Sequence, residues 1–278
     1  MTADTRRRGL HAQVSPRAGW LLAALPFVLL LAVYFVSSHL RLEENPQDKL
    51  LPSLAQMSEA ITRLALHPDP HSEQYVFWQD TAASLVRLAI GVSLAAFCGL
   101  MVGLNMGLLP RVRALFSPVV TVLSMIPPLA VLPIIFIIFG VDELAKVVLI
   151  FIGVFPVIAR DIFLTTERIP REQITKALTL GATQMGVIYR IVLPQILPRL
   201  VDAARLSLGA AWLFLIAAEA IAATDGLGYR IFLVRRYLAM DIILPYVLWI
   251  TLLGFLMDYG LKRLVQWRFQ WYLAEGKG

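Results

Sequence analysis

The residues of this sequence that could act on a solute are charged side chains within long apolar stretches. Arg87, Arg205 and Glu219 each lie in such a stretch. A charge at the centre of a membrane helix costs about 2.5 to 3.5 kcal/mol, so each side chain must face a partner or a water-filled cavity. Two interpretations stay open for Arg87 and Arg205: contact with a passing anion, or snorkelling or a structural pair such as Arg205 with Asp202. For Glu219 the two interpretations are that it gates the path and that it pairs with a structural partner.

Two adjacent prolines form a second candidate for a solute path. Pro127 and Pro128 interrupt the apolar stretch 115–139, and they predict a break in its helix near Ile126. A broken helix near the membrane midplane frees backbone carbonyls and is a recurrent way to build a solute path. The alternative is a kink that improves packing between helices.

Motifs for catalysis or metal binding are missing from the sequence. The predicted spans contain no histidine, and neither Gly-x-Ser-x-Gly nor His-Glu-x-x-His occurs. Because Cys98 is the single cysteine, the chain has no Cys-based metal site and no internal disulfide. We therefore predict no catalytic residue and no metal site, which disfavours an intramembrane enzyme.

The elements that carry these residues are predicted to be transmembrane helices. Of 278 residues 58% are hydrophobic and 16% are charged, with a mean hydropathy of +0.71, whereas soluble domains have about a quarter charged residues. The fold class is therefore an all-α polytopic membrane bundle of about six transmembrane helices. The net charge of +6 does not indicate nucleic-acid binding, because the basic residues lie mostly between apolar blocks.

Six spans follow from the apolar blocks, together with an external loop over 39–79 that contains an amphipathic helix at 51–66. The predicted spans are 20–36, 82–108, 115–139, 144–164, 200–223 and 242–264. A stripe of Gly99, Gly103 and Gly107 predicts close packing of the second span against a neighbour. The chain divides into 1–79 (N-terminus, first span and external loop), the core 80–268, and a tail 269–278.

Basic residues predict the orientation in the membrane. Sixteen of the 25 Lys and Arg residues, Arg160 among them, fall in segments assigned to the cytoplasm. Both termini are then cytoplasmic. Arg230, Arg235 and Arg236 lie outside and break this pattern, so we expect another cause for their position.

The segment between the fourth and fifth spans carries a recognisable pattern. Gly181 is followed after nine residues by Ile191, and Leu193 and Pro194 come next. We predict two short cytoplasmic helices that meet at Gly181, with Pro194 limiting the second.

This segment resembles the signature loop of binding-protein-dependent ABC importer permeases. That loop reads Glu-Ala-Ala, three residues, Gly, nine residues, Ile-x-Leu-Pro. The sequence departs from it where Thr175 and Lys176 replace Glu and Ala, and only Ala177 remains. The resemblance implies that the loop, with Gly181, couples the chain to an ATPase.

Three further segments, TAASLVRLAIGVSLAAFCGLMVGLNMG, SMIPPLAVLPIIFIIFGVDELAKVVLIFIGVFPV and AARLSLGAAWLFLIAAEAIAATDGLGYRI, look like the nitrate, sulfonate and taurine branch of these permeases. The resemblance covers residues 80–268. It implies a homodimer in the bacterial inner membrane that imports a small oxyanion by alternating access. ATP and Mg²⁺ would be bound by separate ATP-binding subunits, because the chain has no phosphate loop, and a solute-binding protein would deliver the solute.

Two alternatives stay open. One is a secondary transporter or channel that needs no ATPase subunit, although such proteins usually contain an internal repeat. The other concerns Arg230, Arg235 and Arg236, which are candidates for docking an acidic binding protein or for focusing an anionic solute. The alternative to both of these roles is that the three arginines pair with Asp225 or Asp241, or bind lipid head groups.

Overall fold

The computed structural model describes residues 15–45, 48–69 and 73–275, and within these ranges it contains helices and their connections without a strand. This confirms the predicted all-α fold. The N-terminal arginines at positions 6, 7 and 8 and the last three residues of the predicted tail lie outside the described residues.

Five helices are long and apolar enough to cross a membrane, and a sixth crossing results if one bent pair counts as a span. This agrees with the predicted number of about six. The five helices are α1 (Pro16–Glu44), α3 (Val76–Leu108), α6 (Glu143–Glu167), α9 (Leu193–Ala222) and α11 (Met240–Arg268). The bent pair consists of α4 (Pro110–Met125) and α5 (Leu132–Phe139), joined by a 3-10 turn at Pro128–Val131.

Four shorter helices lie in the connections, and a fifth follows α11. They are α2 (Leu54–Leu66), α7 (Arg171–Thr179), α8 (Gln184–Val187), α10 (Leu227–Arg235) and α12 (Gln270–Glu275). The predicted amphipathic helix is α2, and it starts at a capping box in which Ser53 and Gln56 satisfy each other's backbone N–H groups.

The glycine stripe of α3 packs against α6 in a constant register. Each glycine meets the residue 59 positions later in the sequence: Gly91 with Ile150, Gly99 with Ile158, Gly103 with Ile162, and Gly107 with Thr166. A Cβ atom on Gly103 would stand 2.5 Å from the carbonyl oxygen of Ala159, so only glycine allows this approach. The predicted packing role of the stripe is confirmed.

This register determines the relative directions of the helices. Because contacts advance together along α3 and α6, the two helices run parallel, and the chain between them must return across the same thickness. The return is made by α4 and α5, whose axes differ by 87°. The bend lies at Ile126 and Pro127, where the backbone is extended, as the sequence predicts.

The third helix of the core, α9, runs antiparallel to α6. Arg199 near the start of α9 pairs with Asp161 near the end of α6, while Phe214 later in α9 packs on Gly153. Leu149 and Leu215 are fully buried between these elements. The core therefore consists of α3, α6 and α9, and these helices carry Arg87, Glu219, Arg205 and Arg160.

Helix α1 lies at the periphery. Its most apolar window has no buried residue, and its side chains bond to the segment before α2 near its C-terminal end. There the Tyr34 hydroxyl donates to the Pro52 carbonyl at 2.7 Å and the Ser38 hydroxyl donates to the Leu51 carbonyl at 2.9 Å. Its exposed Leu, Val and Phe side chains fit a surface in contact with lipid.

Candidate solute path and cytoplasmic loop

Two of the sequence-predicted path residues, Arg87 of α3 and Glu219 of α9, form an ion pair. Nη1 of Arg87 donates to Oε1 of Glu219 at 2.8 Å. The Glu219 side chain is completely buried and that of Arg87 is 5% exposed. Buried charges require such pairing, because removal from water costs several kcal/mol for each ion.

The remaining donors of the Arg87 guanidinium are also engaged. Nη2 donates to Oε1 of Glu143 at 2.7 Å and to Oδ1 of Asp225 at 2.5 Å, and Nε donates to the other Glu143 oxygen. Nη1 makes a second bond, at 3.0 Å, to the Asp225 carbonyl. All five N–H groups are thus used, so Arg87 presents none to an anion in this conformation. The arrangement supports a structural pair, and the anion contact stays a prediction.

Three side chains from α3 and α9 cap the amino end of α10. The backbone N–H groups of Gly226, Leu227 and Gly228 donate to Asp80 at 2.9 Å, Ser84 at 2.9 Å and Glu219 at 2.8 Å, respectively. These are the N–H groups that a helix leaves without internal partners, and carboxylates are favoured there by the helix dipole. The loop before α10 is therefore bound firmly to the core.

Gly226 is required by this close approach. Its φ of +113° is outside the range that L side chains usually adopt, and a Cβ there would stand 2.5 Å from Oε1 of Glu219. We call the whole set the polar cluster. Its members are Asp80, Ser84, Arg87, Glu143, Lys146, Glu219, Asp225, Arg230 and Tyr246.

Arg230 belongs to this cluster through Asp80, so neither Asp225 nor Asp241 is its partner. Nε of Arg230 donates to Oδ2 of the fully buried Asp80 at 2.8 Å. Burial disfavours the charged guanidinium, but the Asp80 carboxylate outweighs it and the pKa of Arg230 is raised above its usual value. Its docking role stays a prediction, although most of its side chain is turned to the core.

Sequence reasoning missed Asp80 and Ser84, although a signal was present. Asp80, Ser84 and Arg87 follow one another at four and three residues, the spacing that places side chains on one face of a helix. A polar face of this kind in an apolar helix predicts a buried partner on a neighbouring element.

Arg235 and Arg236 differ from Arg230. Both are exposed, and neither forms an ion pair with any residue in the described ranges. The guanidinium of Arg235 lies over the ring of Phe232, 4.9 Å from its centroid. These two side chains are available at the surface.

Arg205 lies beside the predicted partner Asp202. Its Nε stands 3.5 Å from Asp202 and 3.6 Å from Asp258 of α11. Nε has no hydrogen-bond partner, so this is a looser contact than the one between Arg87 and Glu219. The alternative of a structural pair is supported, and an anion contact at Arg205 stays a prediction.

The cytoplasmic loop turns at Gly181, as the sequence predicts. Gly181 has a φ of +89°. Its N–H donates to the carbonyl of Leu178 at 3.0 Å, and the Ala182 N–H donates to that of Ala177 at 3.0 Å. These two bonds form the Schellman motif that ends α7. Thr183 then caps α8 by accepting from the Gly186 N–H.

The expectation that Pro194 limits the second helix is wrong. The helical chain continues from Gln184 to Ala222, through a π-helical segment at Ile188–Val192. Pro194 lacks the N–H that would bond to Arg190, and its ring clashes with that carbonyl in a regular α-helix. The wider π turn just before Pro194 accommodates the proline without ending the helix.

We expect Arg87→Met to lower the free energy of unfolding by about 3 to 5 kcal/mol, because it leaves Glu219 buried without its cation. Arg235→Met is the matched control, with a change within about 0.5 kcal/mol. Stability would be measured by unfolding in mixed detergent micelles. Adding Glu219→Gln to Arg87→Met should recover part of the loss, and equal stability of the two arginine variants would contradict the pairing.

The sequence matches a known protein family and is similar to individual permeases. Residues 91–270 match the family model described as "Binding-protein-dependent transport system inner membrane component". The chain is 35% identical over 195 residues to the taurine transport system permease protein TauC of Escherichia coli, covering 70% of this chain and 71% of that protein. It is also 35% identical over 206 residues to the bicarbonate transport system permease protein CmpB of Synechococcus elongatus, covering 72% and 70%.

The fold is also similar to that of a solved transporter. A structure of the MetNI methionine ABC transporter in an inward-facing conformation superposes with a TM-score of 0.57 at 23% identity, covering 69% of this chain and 96% of that chain. Because the family model spans more than half of the residues, this chain belongs to the binding-protein-dependent transport system inner membrane components, the permease subunits of ABC importers.

Proposed function

We propose that this permease imports a small oxyanion, such as nitrate, taurine or another sulfonate, or bicarbonate. The relatives named for taurine and bicarbonate transport support this range, since both names refer to small molecules with an anionic oxygen group. Family membership does not identify which of these solutes is carried, because in such importers a separate binding protein supplies most of the selectivity.

The turn at Gly181 is the observation that supports coupling to an ATPase. Around it the side chains of Leu180 and Met185 are 88% and 63% exposed, and large apolar side chains in a rigid turn are suited to fill a socket on a partner. The segment from Thr175, Lys176 and Ala177 to Ile191, Leu193 and Pro194 would contact the ATP-binding subunit. That subunit would bind ATP and Mg²⁺.

This assignment sets the orientation. If the loop between α6 and α9 faces the ATPase, α3 and α6 both end in the cytoplasm because they run parallel. α11 runs antiparallel to α9, as shown by Arg205 with Asp258 and Trp212 beside Gly254, and so it also ends there. With α1 entering from the cytoplasm, both termini are cytoplasmic, and 80–268 forms the core of an inner-membrane permease.

We also infer a homodimer from an unpartnered face of α9. Leu206, Leu213 and Ile221 recur at seven and eight residues and are 68%, 58% and 68% exposed. Gly209 lies on the same face, and a Cβ there would meet nothing within 4 Å. An apolar face with a small residue at its centre suits close packing against a second copy. The bend at Pro127 and Pro128 would then line the path between copies.

The purified chain should hydrolyse no ATP, because it has no phosphate loop. Reconstituted with its ATP-binding and solute-binding subunits, it should take up taurine, nitrate or bicarbonate in an ATP-dependent manner. Uptake of each labelled anion into proteoliposomes, with and without ATP, tests this. ATP-independent uptake by the chain alone would instead support a secondary transporter or channel.

Gly181→Val should uncouple ATP hydrolysis from uptake, because a β-branched residue at φ +89° is strained by at least about 1 kcal/mol and would open the turn. Gly260→Val on α11 is the matched control, since a Cβ there meets nothing within 4 Å. The ratio of uptake to hydrolysis is the readout. Asn tolerates this backbone conformation, so Gly181→Asn should retain more coupling than Gly181→Val. Normal coupling in Gly181→Val would refute the role of the turn.

For the external face we propose that Arg235 and Arg236 attract an acidic surface of the solute-binding protein. Replacing both with Gln should slow association of the loaded binding protein severalfold at low salt, and the difference should shrink as salt rises. Association rates and uptake at two ionic strengths are the measurements. A salt-sensitive loss of uptake with unchanged association would mean that these arginines focus the anionic solute instead.

A further inference from the structure

We propose that Arg160 of α6, with the hydroxyl groups of Ser117 and Thr121 of α4, forms an anion-binding site in the cytoplasmic half of the solute path. Its ligand is a small, singly charged oxyanion, such as a sulfonate or a carboxylate. This inference rests on the proposed function and adds to it a site within the membrane.

The site lies in two adjoining clefts between α4 and α6, with volumes of about 140 and 340 Å³. Arg160 and Leu164 line both. The smaller cleft also contains Ser117 and Thr121, and the larger one contains Ser124. Space of this size suits a small anion with a few waters rather than a large organic solute.

The charge of Arg160 is not compensated by a neighbouring carboxylate among the described residues. It is exposed, and no ion pair or hydrogen bond of its side chain is recorded within residues 15–45, 48–69 and 73–275. Its neighbour Asp161 lines the larger cleft, but both Asp161 oxygens accept from Arg199, at 2.7 and 2.6 Å. The carboxylate in the cleft is thus already paired, and the formal charges of Arg160, Asp161 and Arg199 sum to +1.

The hydroxyl groups lie on one face of α4. Ser117, Thr121 and Ser124 follow at four and three residues, the spacing that aligns side chains along a helix. Ser124 donates to the Val120 carbonyl of its own helix at 2.6 Å. No such bond is recorded for Ser117 or Thr121 among the described residues, so their hydroxyls can donate to an anion beside the guanidinium.

The position of the site connects it with the bend in the α4–α5 pair. Arg160 is seven residues from the end of α6, which corresponds to about 10 Å along the axis. Ser124 is near Val157, and Ser117 is near Leu164, so α4 rises along α6 in the opposite direction. The row of hydroxyl groups therefore runs along α4, past Arg160, towards the bend at Ile126 and Pro127.

The chemistry of these groups selects anions and permits release. A guanidinium binds planar or trigonal oxygen groups through two parallel N–H bonds. A single arginine without a second cation gives contact weak enough for the solute to leave, as a transport path requires. A lipid phosphate offers the same oxygen chemistry, so the experiment must separate the two ligands.

Charged thiol reagents test the site directly. In a Cys98→Ser background, Thr121→Cys introduces one reactive thiol beside Arg160. The probes are the sulfonatoethyl and the trimethylammonioethyl methanethiosulfonates, which attach groups of similar length and opposite charge. Rates of modification of this chain would be measured in the assembled complex in phosphatidylcholine vesicles. The sulfonate probe is also a close chemical mimic of a small sulfonate solute.

With Arg160 present, the sulfonate probe should react about tenfold faster than the cationic probe, relative to their rates with a free thiol. Arg160→Gln should abolish this preference, and Arg160→Lys should retain most of it. Arg113→Gln is the matched control, because Arg113 pairs with Glu167 outside the cleft, and it should retain the preference. Val122→Cys, an exposed residue of α4 that is not among those lining the clefts, should show none.

Three results would overturn the proposal: no preference with Arg160 present, the same preference in Arg160→Gln, or a preference that disappears when one third of the lipid is phosphatidylglycerol. Because this lipid by itself repels the anionic probe, the preference is measured relative to Val122→Cys in the same vesicles. The last would mean that a lipid head group occupies Arg160. Labelling rates require neither ATP nor transport, so a failure here is distinguishable from a failure of the proposed import, which the uptake experiment tests.

Discussion

Glu219 is a fully buried carboxyl group among apolar helices, and the elements around it are arranged to compensate its charge. Arg87 of α3 supplies the cation, Ser84 donates a hydroxyl, and Gly228 donates the N–H of a helix end. Because an unpaired charge at this depth costs several kcal/mol, α3, α9 and α10 cannot separate independently. One ionic contact thus joins elements that are more than a hundred residues apart in the sequence.

The second constraint is steric and lies along the same helix. Small residues on α3 let the backbone of α6 approach to contact distance, which keeps the two helices in a single parallel register. The same register brings Lys146 to the level of Arg87, and Glu143 lies between these two cations. Close packing and charge compensation therefore depend on each other: a shift of one turn would separate Arg87 from Glu143 and also place side chains where glycines are needed.

Much of this fold could be predicted from local patterns. Apolar length predicts the spans, the prolines near Ile126 predict the bend, and Gly181 predicts the cytoplasmic turn. These features depend on residues that are neighbours in sequence. The local pair of Arg205 with Asp202 could be predicted, but partners on other elements could not, because Asp80 and Arg230 meet only after α3 and α10 pack together. The clefts beside Arg160 could not be predicted either, since they depend on where α4 lies.

The continuity of the helix from Gln184 to Ala222 has a mechanical consequence. At 1.5 Å per residue its 39 residues form a rod of about 58 Å. The cytoplasmic turn is at one end, and Glu219, with its bonds to Arg87 and Gly228, is at the other. A rod of this length acts as a lever: tilting it about its middle moves the two ends in opposite directions by similar amounts. Apart from the π-helical segment at Ile188–Val192, no break interrupts this rod, so a push of a few ångströms at the cytoplasmic turn would strain the hydrogen bonds of the polar cluster.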